Sequence, residues 1–166
     1  MNEEFLKKVE AEYADLSNLL ISANVTVSTM ESCTAGLIAT LITDTEGASG
    51  ILKGAFITYS NEAKIREGVP EDVIEKFGVY SEETAKEMAK ACSSAYGSYI
   101  GIGVTGSIGR KDPENRDSTP GEVFFAIKAG ENLRSWSMTL EKADSRLEAK
   151  LQIAHVVCMM LRRILL

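Results

Sequence analysis

The 166-residue sequence predicts an α/β fold, namely a three-layer α/β/α domain with a mainly parallel sheet and an antiparallel hairpin near the C-terminus. The first observation is that apolar residues recur along the chain at alternating helical and strand spacing, which favours parallel strands covered on both faces. The second is the dipeptide Gly130-Glu131 between two β-rich runs, which is typical of a hairpin. The third is the combination of chain length and a hydrophobic content of 45%, which together fit one domain over residues 1–166.

The first third of the chain is expected to begin with a helix over residues 3–23, within an N-terminal segment of residues 1–24, with Asn2 as the N-cap. Its apolar positions repeat at helical spacing: Phe5, Val9, Tyr13, Leu16, Leu19 and Leu20. The β-branched run "NVTVSTM" then predicts a strand, and the pattern returns to a helix from Thr34 to Ile42. A second strand, "GAFITYS", is entered through Gly54.

The remaining elements follow from capping residues and apolar runs. Two short helices are expected, the second opened by Pro70 and ended by Gly78. Ser81 is the expected N-cap of a longer helix that runs to about Ala95. The runs "SYIGIGVTG", "GEVFFAIKA" and "LRSWSMTL" predict three further strands, and residues 143–165 a final helix. A long polar loop broken by two prolines lies before the hairpin, and loops of this length are often functional or disordered.

Composition excludes several classes of function. A net charge of −6 argues against a nucleic-acid-binding protein, which usually carries a basic face. The three cysteines, Cys33, Cys92 and Cys158, are far apart, so they predict neither a disulfide framework nor a metal site. The charged N-terminus is unlike a secretory signal, and the longest apolar run is too short to span a bilayer. We therefore expect a cytoplasmic protein with no nucleic-acid and no membrane partner.

Three polar clusters fall where predicted strands end: "ESCTAG", "TYSNEAK" and "VTGSIG". In α/β folds, ligands bind beyond the carboxyl ends of the strands. The sequence therefore predicts a single site built from three loops.

A hydroxyl nucleophile needs a base, and the usual base is excluded here. The single histidine, His155, lies inside the final helix among apolar residues, so we expect it to be structural and a Ser-His-Asp triad to be absent. Lys64, assisted by Tyr59, is the candidate base. If a helix begins at Asn61, Lys64 lies in its first turn, where the helix dipole lowers the pKa of the amine. The alternative is a solvated lysine beside a half-buried tyrosine.

Ser32 is the candidate nucleophile because it lies where a strand gives way to a helix. Backbone N–H groups from Cys33 to Gly36 can then hold an oxyanion or a phosphate. The alternative is that Ser32 or Thr34 merely caps the helix. Cys33 is a rival nucleophile without an obvious activator.

Two further features leave alternatives open. Glu31 is either an exposed surface charge or a carboxylate that orients the lysine. Thr105, Gly106 and Ser107 either wrap an anionic group or form a tight turn. The cations that follow either neutralise a phosphate or are solvated charges: Arg110, Lys111 and Arg116.

Taken together and in order, the motifs resemble one known family. "ESCTAG", "GASGILKGAFITYSNEAK", "FGVYSEETAKEMA", "VTGSIG" and "TPGEVFFAI" are similar to the C-terminal domain of competence/damage-inducible protein A, which also occurs alone as nicotinamide-nucleotide amidohydrolase. The resemblance implies hydrolysis of the carboxamide of nicotinamide mononucleotide to nicotinate mononucleotide and ammonia. It also implies a three-layer α/β/α fold, no metal or organic cofactor, and a homo-oligomer. The final helix, with Met159, Met160 and Ile164, is the expected subunit contact.

The resemblance implies a role for each matching residue. Ser32 matches the nucleophile, Tyr59 and Lys64 match its activating pair, and Thr105 matches a hydroxyl beside the substrate. A pyridine nucleotide is the implied small-molecule partner. The implied substrate-binding positions are Glu31, Cys33, Thr34, Ala35, Gly36, Asn61, Thr105, Gly106, Ser107 and Arg146.

The sequence also departs from the family pattern. Ala35 replaces a glycine, and "GSIGRKDPEN" replaces a loop that usually carries a proline and paired glycines. Arg146 and Lys150 are the candidates for an arginine near the start of the last helix. The chain lacks the larger N-terminal domain that accompanies many members and is expected to be a stand-alone unit. Two other functions stay open. One is a non-catalytic binding or interaction domain that keeps the fold. The other is a reductase, because "TGSIG" with Tyr59 and Lys64 faintly resembles short-chain dehydrogenases.

Overall fold

A single mixed sheet forms the middle layer of the computed structural model, which describes residues 3–116 and 118–166. Within those residues the strands are ordered β2-β1-β3-β4-β5, with β1 parallel to β2 and β3, and with β3–β4 and β4–β5 antiparallel. The predicted parallel sheet and C-terminal hairpin are therefore confirmed. The strand bounds are β1 Val27–Glu31, β2 Leu52–Ile57, β3 Ile100–Gly106, β4 Glu122–Ala129 and β5 Asn132–Thr139.

Helices cover both faces of the sheet, which confirms the three-layer architecture. Helices α1, α2 and α6 contact one another and enclose the larger apolar core on one face, while α5 packs across β1, β3 and β4 on the other. The helix bounds are α1 Glu3–Ala23, α2 Leu37–Thr43, α3 Asn61–Arg66, α4 Glu71–Phe77, α5 Glu82–Tyr96 and α6 Arg146–Leu165. A short 3₁₀ turn spans Ala48–Gly50.

Two predicted helix starts are wrong. Helix α2 begins at Leu37 and not at Thr34, because Ala35 and Gly36 adopt positive φ angles of 50° and 91°. No side chain caps this helix from its N-cap position, so neither Ser32 nor Thr34 serves as that cap. Helix α6 begins at Arg146 and not near residue 143, since the Ser145 hydroxyl accepts the hydrogen bond from the N–H of Glu148. The predicted N-cap Asn2 lies outside the described residues.

The expected cap of α5 is confirmed, since the Ser81 hydroxyl accepts a hydrogen bond from the N–H of Thr84. The expected start of α3 at Asn61 is also confirmed. Its cap is Ser60, which sequence reasoning missed and which accepts a hydrogen bond from the N–H of Ala63. Helix α4 starts after Pro70 and ends at Gly78, whose φ is 85°.

The glycines of β3 allow α5 to approach the sheet closely. A Cβ on Gly103 would come within 2.3 Å of the Ala85 carbonyl oxygen, and one on Gly101 within 2.1 Å of the Ala89 oxygen. These glycines therefore serve helix packing and fix β3 beneath α5.

Two predictions for α6 concern its outer faces. His155 Nδ1 lies 2.6 Å from Glu12 Oε2, and its ring meets Phe5 edge-on, so the histidine joins α6 to α1 as a structural residue. Of the residues expected to contact another subunit, Met160 and Ile164 pack against the core and Met159 is partly exposed. Among the helices described, none is both long and apolar enough to cross a membrane.

Candidate functional site

The strand order creates a cleft at the carboxyl end of the sheet. The chain leaves β1 to form β2 on one side and later returns as β3 on the other, so the ends of β1 and β3 are adjacent, where ligands bind in open α/β sheets. The Ser32 N–H donates to the Val104 carbonyl at 3.0 Å and holds the two ends together. The resulting cleft has a volume of about 550 Å³. Its lining residues include Ser32, Cys33, Tyr59, Tyr80, Gly106, Ser107, Arg110, Lys111, Asp112, Glu114 and Arg146.

Ser32 and Lys64 meet directly behind this cleft. Lys64 Nζ lies 3.1 Å from Ser32 Oγ and donates a second hydrogen bond of 2.7 Å to the Thr58 carbonyl. The turn after β2 places Ser60 as the cap of α3, and the first turn of that short helix aims Lys64 back at the end of β1. Two of the three predicted clusters therefore converge on one hydroxyl–amine pair.

The environment of Lys64 favours its neutral amine. The side chain is only 1% exposed, and it forms no ion pair with any described residue. Burial lowers its pKa from 10.5 to about 8, although Cys33 and Asp112 act in the opposite direction. The dominant cause is desolvation, whereas the sequence pointed to the helix dipole. The alternative of a solvated lysine is wrong.

Glu31 holds the loop that carries Ser32 and contacts neither the cleft nor Lys64. Its carboxylate accepts hydrogen bonds from the N–H groups of Gly36, Ile38 and Ala39 at 3.0, 3.2 and 2.9 Å. The Thr29 hydroxyl donates a fourth, at 3.1 Å. Glu31 is fully buried, so the alternative of an exposed surface charge is wrong. Its carboxylate bonds the backbone of α2 and the Thr29 hydroxyl, and it forms no hydrogen bond with Lys64. It caps α2 in place of a residue at the N-cap itself.

The backbone after Ser32 offers hydrogen-bond donors. The N–H groups of Cys33 and Thr34 make no backbone hydrogen bond within the described chain. Both lie near the Cys33 thiol, where they lower its pKa. Burial nevertheless raises that pKa to about 12, so the thiol stays protonated and Cys33 is a poor rival to Ser32.

Tyr59 lies at the rim of the cleft. Its side chain is 62% exposed, and its hydroxyl accepts a hydrogen bond of 3.4 Å from Arg146. It is hydrogen-bonded to neither Ser32 nor Lys64, so the direct contact of Lys64 with Ser32 needs no relay. Arg146, at the start of α6, also donates to the Ile108 carbonyl at 2.8 Å, and the structure selects it over Lys150 as the arginine of the cleft.

The glycine turn after β3 contributes only part of what was expected. Gly106 and Ser107 line the cleft, and the Ser107 hydroxyl donates to the Arg110 carbonyl at 3.3 Å. Thr105 is fully buried and donates to the Val79 carbonyl at 2.9 Å, so it does not reach the cleft. Its side chain instead anchors the segment that precedes Tyr80.

Four other expected ligands also lie away from the cleft wall. Thr34 is fully buried, and its hydroxyl has no partner among the described residues. Ala35 and Gly36 form the left-handed turn that leads into α2. Asn61 donates to Asn115 Oδ1 at 3.2 Å and so contacts the divergent loop.

Tyr80 and Asp112 are cleft residues that sequence reasoning missed. The Tyr80 hydroxyl donates to Asp112 Oδ2 at 2.6 Å. This bond is the main cause that lowers the pKa of Asp112, and burial followed by the same bond raises the pKa of Tyr80. Their partners lie on distant segments, so the only available signal was that Tyr80 directly precedes a helix cap.

Among the described residues, no group of His, Cys, Asp or Glu side chains could hold a metal ion.

Comparisons with known proteins identify the family of the chain. The family model of the CinA C-terminal domain matches residues 9–165. A "CinA-like protein" of Chlorobium phaeobacteroides is 36% identical over 149 residues, which cover 87% of this chain and 35% of that protein. A "putative competence-damage inducible protein" of Clostridium novyi is 41% identical over 113 residues, 68% of this chain and 27% of that protein. The chain thus spans about a third or less of these curated relatives.

Solved structures share the same fold. The crystal structure of competence/damage inducible protein CihA from Agrobacterium tumefaciens superposes with a TM-score of 0.83 at 29% identity, covering 93% of this chain and 94% of that one. A competence or damage-inducible protein from Enterobacter asburiae gives 0.87 at 23% identity, covering 95% and 98%. The strand order, the cleft and the family match lead to one conclusion: the chain belongs to the CinA C-terminal domain family.

Proposed function

We propose that this domain hydrolyses the carboxamide of a pyridine nucleotide, nicotinamide mononucleotide in the first instance, by serine acyl transfer with Lys64 as the base. The observation that carries the proposal is the 3.1 Å contact between Ser32 Oγ and a buried Lys64 amine whose pKa is lowered to about 8. A serine hydroxyl becomes nucleophilic only beside a group that can take its proton, and no histidine lies here to do so.

In the acylation step, Ser32 Oγ attacks the carboxamide carbon while neutral Lys64 takes the hydroxyl proton. The C=O bond opens to an oxyanion, for which the N–H groups of Cys33 and Thr34 are the proposed donors because neither makes a backbone hydrogen bond within the described chain. Lys64 then returns the proton to the amide nitrogen, the C–N bond breaks, and ammonia leaves. The product of this half-reaction is a pyridine carboxylate ester of Ser32.

Deacylation repeats the sequence with water. Lys64, again neutral, accepts a proton from the water that attacks the ester carbon. The C–O bond to Ser32 breaks, the proton returns to Ser32 Oγ, and the carboxylate product leaves. General base help of this kind is typically worth about 10²- to 10⁴-fold, and one oxyanion donor about 10²- to 10³-fold.

The character of the cleft supports an anionic substrate. The protein carries a net charge of −6, yet the cleft lining holds more cations than carboxylates, namely Arg110, Lys111 and Arg146 against Asp112 and Glu114. A volume of about 550 Å³ is ample for a mononucleotide, since ligand pockets typically measure about 300–1,000 Å³. The motif resemblance supplies the choice of the pyridine carboxamide.

The test is ammonia release by purified protein from a panel of pyridine nucleotides, with Ser32→Ala as the matched control. We expect release from nicotinamide mononucleotide by the wild type and none by the variant. Absence of release across the panel from folded protein would reject the amidase. Binding without turnover would then identify a non-catalytic nucleotide-binding domain, and a fluorescence change of a reduced nicotinamide cofactor would favour a reductase.

A further inference from the structure

The cleft is walled on one side by residues 108–116, which we call the wall segment. It carries two cleft-lining cations, Arg110 and Lys111, and neither forms an ion pair with any described residue. Unpaired cations in a loop usually point freely into solvent. Both side chains are exposed, so their position beside the cleft depends on how the backbone of the wall segment is held.

A continuous chain of hydrogen bonds runs from the far wall of the cleft to the helix of the proposed base. Tyr80 donates to Asp112 Oδ2 at 2.6 Å, and Asn115 Nδ2 donates to the same oxygen at 2.7 Å. Asn115 Oδ1 in turn accepts a bond of 3.2 Å from Asn61, the first residue of α3. Lys64 lies on that same short helix, so the wall segment is tied to the element that positions the base.

Asp112 is the centre of this chain. Its other carboxylate oxygen accepts the Glu114 N–H at 2.9 Å, and its own N–H donates to the Ser118 hydroxyl at 2.8 Å. With these bonds made, most of its lone pairs are used inside the loop, so Asp112 is poorly suited to bind a substrate hydroxyl. It is suited to fold the segment around itself and to set the direction of the two cations that precede it.

Tyr80 connects the wall segment to the rigid part of the domain. It follows Val79, whose carbonyl is held by the buried hydroxyl of Thr105 at the end of β3. The tyrosine ring is half-buried, and its hydroxyl reaches across to the loop. A hydrogen bond to a carboxylate is shorter and stronger than one between neutral groups, so this bond links the loop to the segment held by the end of β3.

We propose that Tyr80 and Asp112 are specificity-determining positioning residues, which fix Arg110 and Lys111 as an anion-binding wall beside Ser32 and thereby select substrates with a phosphate remote from the amide. This inference rests on the proposed function in so far as it calls the ligand a substrate. Its statement about which ligand binds can be tested even if the protein has no turnover. Neither residue touches the reacting atoms. They act through the two cations.

The experiment uses Ser32→Ala protein, which binds without turnover, and isothermal titration with two ligands, nicotinamide mononucleotide and nicotinamide riboside, which differ only by the phosphate. We expect Tyr80→Phe to weaken the mononucleotide about tenfold and to leave the riboside within about twofold. Arg110→Ala combined with Lys111→Ala should produce the same selective loss. Arg116→Ala is the matched control, because that arginine lies on the same segment but outside the cleft lining, and we expect it to change neither affinity.

Two substitutions of Asp112 distinguish the effect of its hydrogen bonds from the effect of its charge. Asp112→Asn keeps a carbonyl oxygen that can accept the Tyr80 hydroxyl, whereas Asp112→Ala removes all three hydrogen bonds of the carboxylate and keeps only the bond from its backbone N–H to Ser118. We expect the asparagine variant to retain mononucleotide binding within about threefold and the alanine variant to lose it as Tyr80→Phe does. Circular dichroism and thermal unfolding of each variant establish that the domain is folded.

Equal weakening of both ligands by Tyr80→Phe, no weakening of either, or no binding of the mononucleotide by Ser32→Ala protein would each overturn the proposal. Failure of the amidase is a separate result. If wild-type protein releases no ammonia while Tyr80→Phe still weakens the mononucleotide and leaves the riboside unchanged, the anion wall stands and the hydrolytic reaction is rejected.

Discussion

The Glu31 carboxylate accepts a hydrogen bond of 3.0 Å from the backbone N–H of Gly36, across the turn that contains Ser32. Together with the bonds from the N–H groups of Ile38 and Ala39, this contact connects the end of β1 to the start of α2 and holds the loop between them. The buried Glu31 carboxylate therefore holds the backbone that carries the proposed nucleophile, Ser32. In the same loop, the N–H groups of Cys33 and Thr34 make no backbone hydrogen bond within the described chain.

Glu31→Gln is expected to lower both stability and turnover. Replacing the carboxylate by an amide removes charge-assisted bonds and can leave an NH₂ group facing backbone N–H donors, a cost of about 2–4 kcal/mol. Thermal or urea unfolding measures the first effect and ammonia release the second. Glu46→Gln, at an exposed position on the neighbouring loop, is the control and should match the wild type. A Glu31→Gln protein as stable as the wild type would contradict the anchoring role.

The rate of amide hydrolysis is expected to rise with pH through a pKa of about 8. Lys64 acts as a base only when neutral, and burial lowers its pKa to that value. The measurement is kcat/KM for nicotinamide mononucleotide between pH 6 and 10. A profile that is flat over this range, or that rises only near the pKa of free lysine, about 10.4, would exclude Lys64 as the base.

Lys64→Met is expected to change the pH dependence of stability. The folded pKa of about 8 lies below the unfolded value of 10.5, so between these values the unfolded chain binds more protons. The free energy of unfolding of the wild type, relative to the variant, should therefore rise across this window by up to about 3 kcal/mol and stay constant below pH 8. Urea unfolding at a series of pH values tests this. Subtracting the variant cancels the titration of Cys92 and Cys158, whose pKa values do not depend on Lys64. A constant difference would show an unperturbed lysine.

Tyr59→Phe is expected to be much milder than Lys64→Met. The Tyr59 hydroxyl contacts Arg146 at 3.4 Å and is not bonded to Ser32, so its loss should raise KM with a fall in kcat/KM of about tenfold or less. Lys64→Met should cost about 10²- to 10⁴-fold in kcat. Tyr99→Phe, at another exposed tyrosine, serves as the control. Equal losses from Tyr59→Phe and Lys64→Met would instead make the tyrosine part of the proton transfer.

Gly103→Ala is expected to destabilise the domain by about 1–3 kcal/mol. The new Cβ would lie 2.3 Å from the Ala85 carbonyl oxygen, so α5 must move away from β3. Gly50→Ala is the matched control, since a Cβ there meets nothing within 4 Å. Thermal unfolding of the two variants should differ clearly, and equal midpoints would show that the contact of α5 with β3 is not tight.

Sequence reasoning reached the architecture because local patterns carry it. The β-branched run before Ser32, the cap Ser81 and the hairpin signal at Gly130 each act over a few residues, and each appears in the structure close to where the pattern put it. The start of α2 was wrong because its cap is not a neighbouring Ser or Thr. The carboxylate of Glu31 reaches forward to the helix from the preceding strand, and nothing in a local pattern signals such a bond.

For the site as well, local features could be predicted from the sequence and contacts between distant segments could not. By itself, the sequence determined that a serine and a lysine stand at two strand ends without a histidine near them, since residue type and strand position are local properties. Only the tertiary structure decided that Lys64 is buried against Ser32, that Thr105 faces Val79, and that Tyr80 holds Asp112. The physical reason is that hydrogen-bond partners and desolvation depend on segments that are distant in the chain and that only the folded sheet brings together.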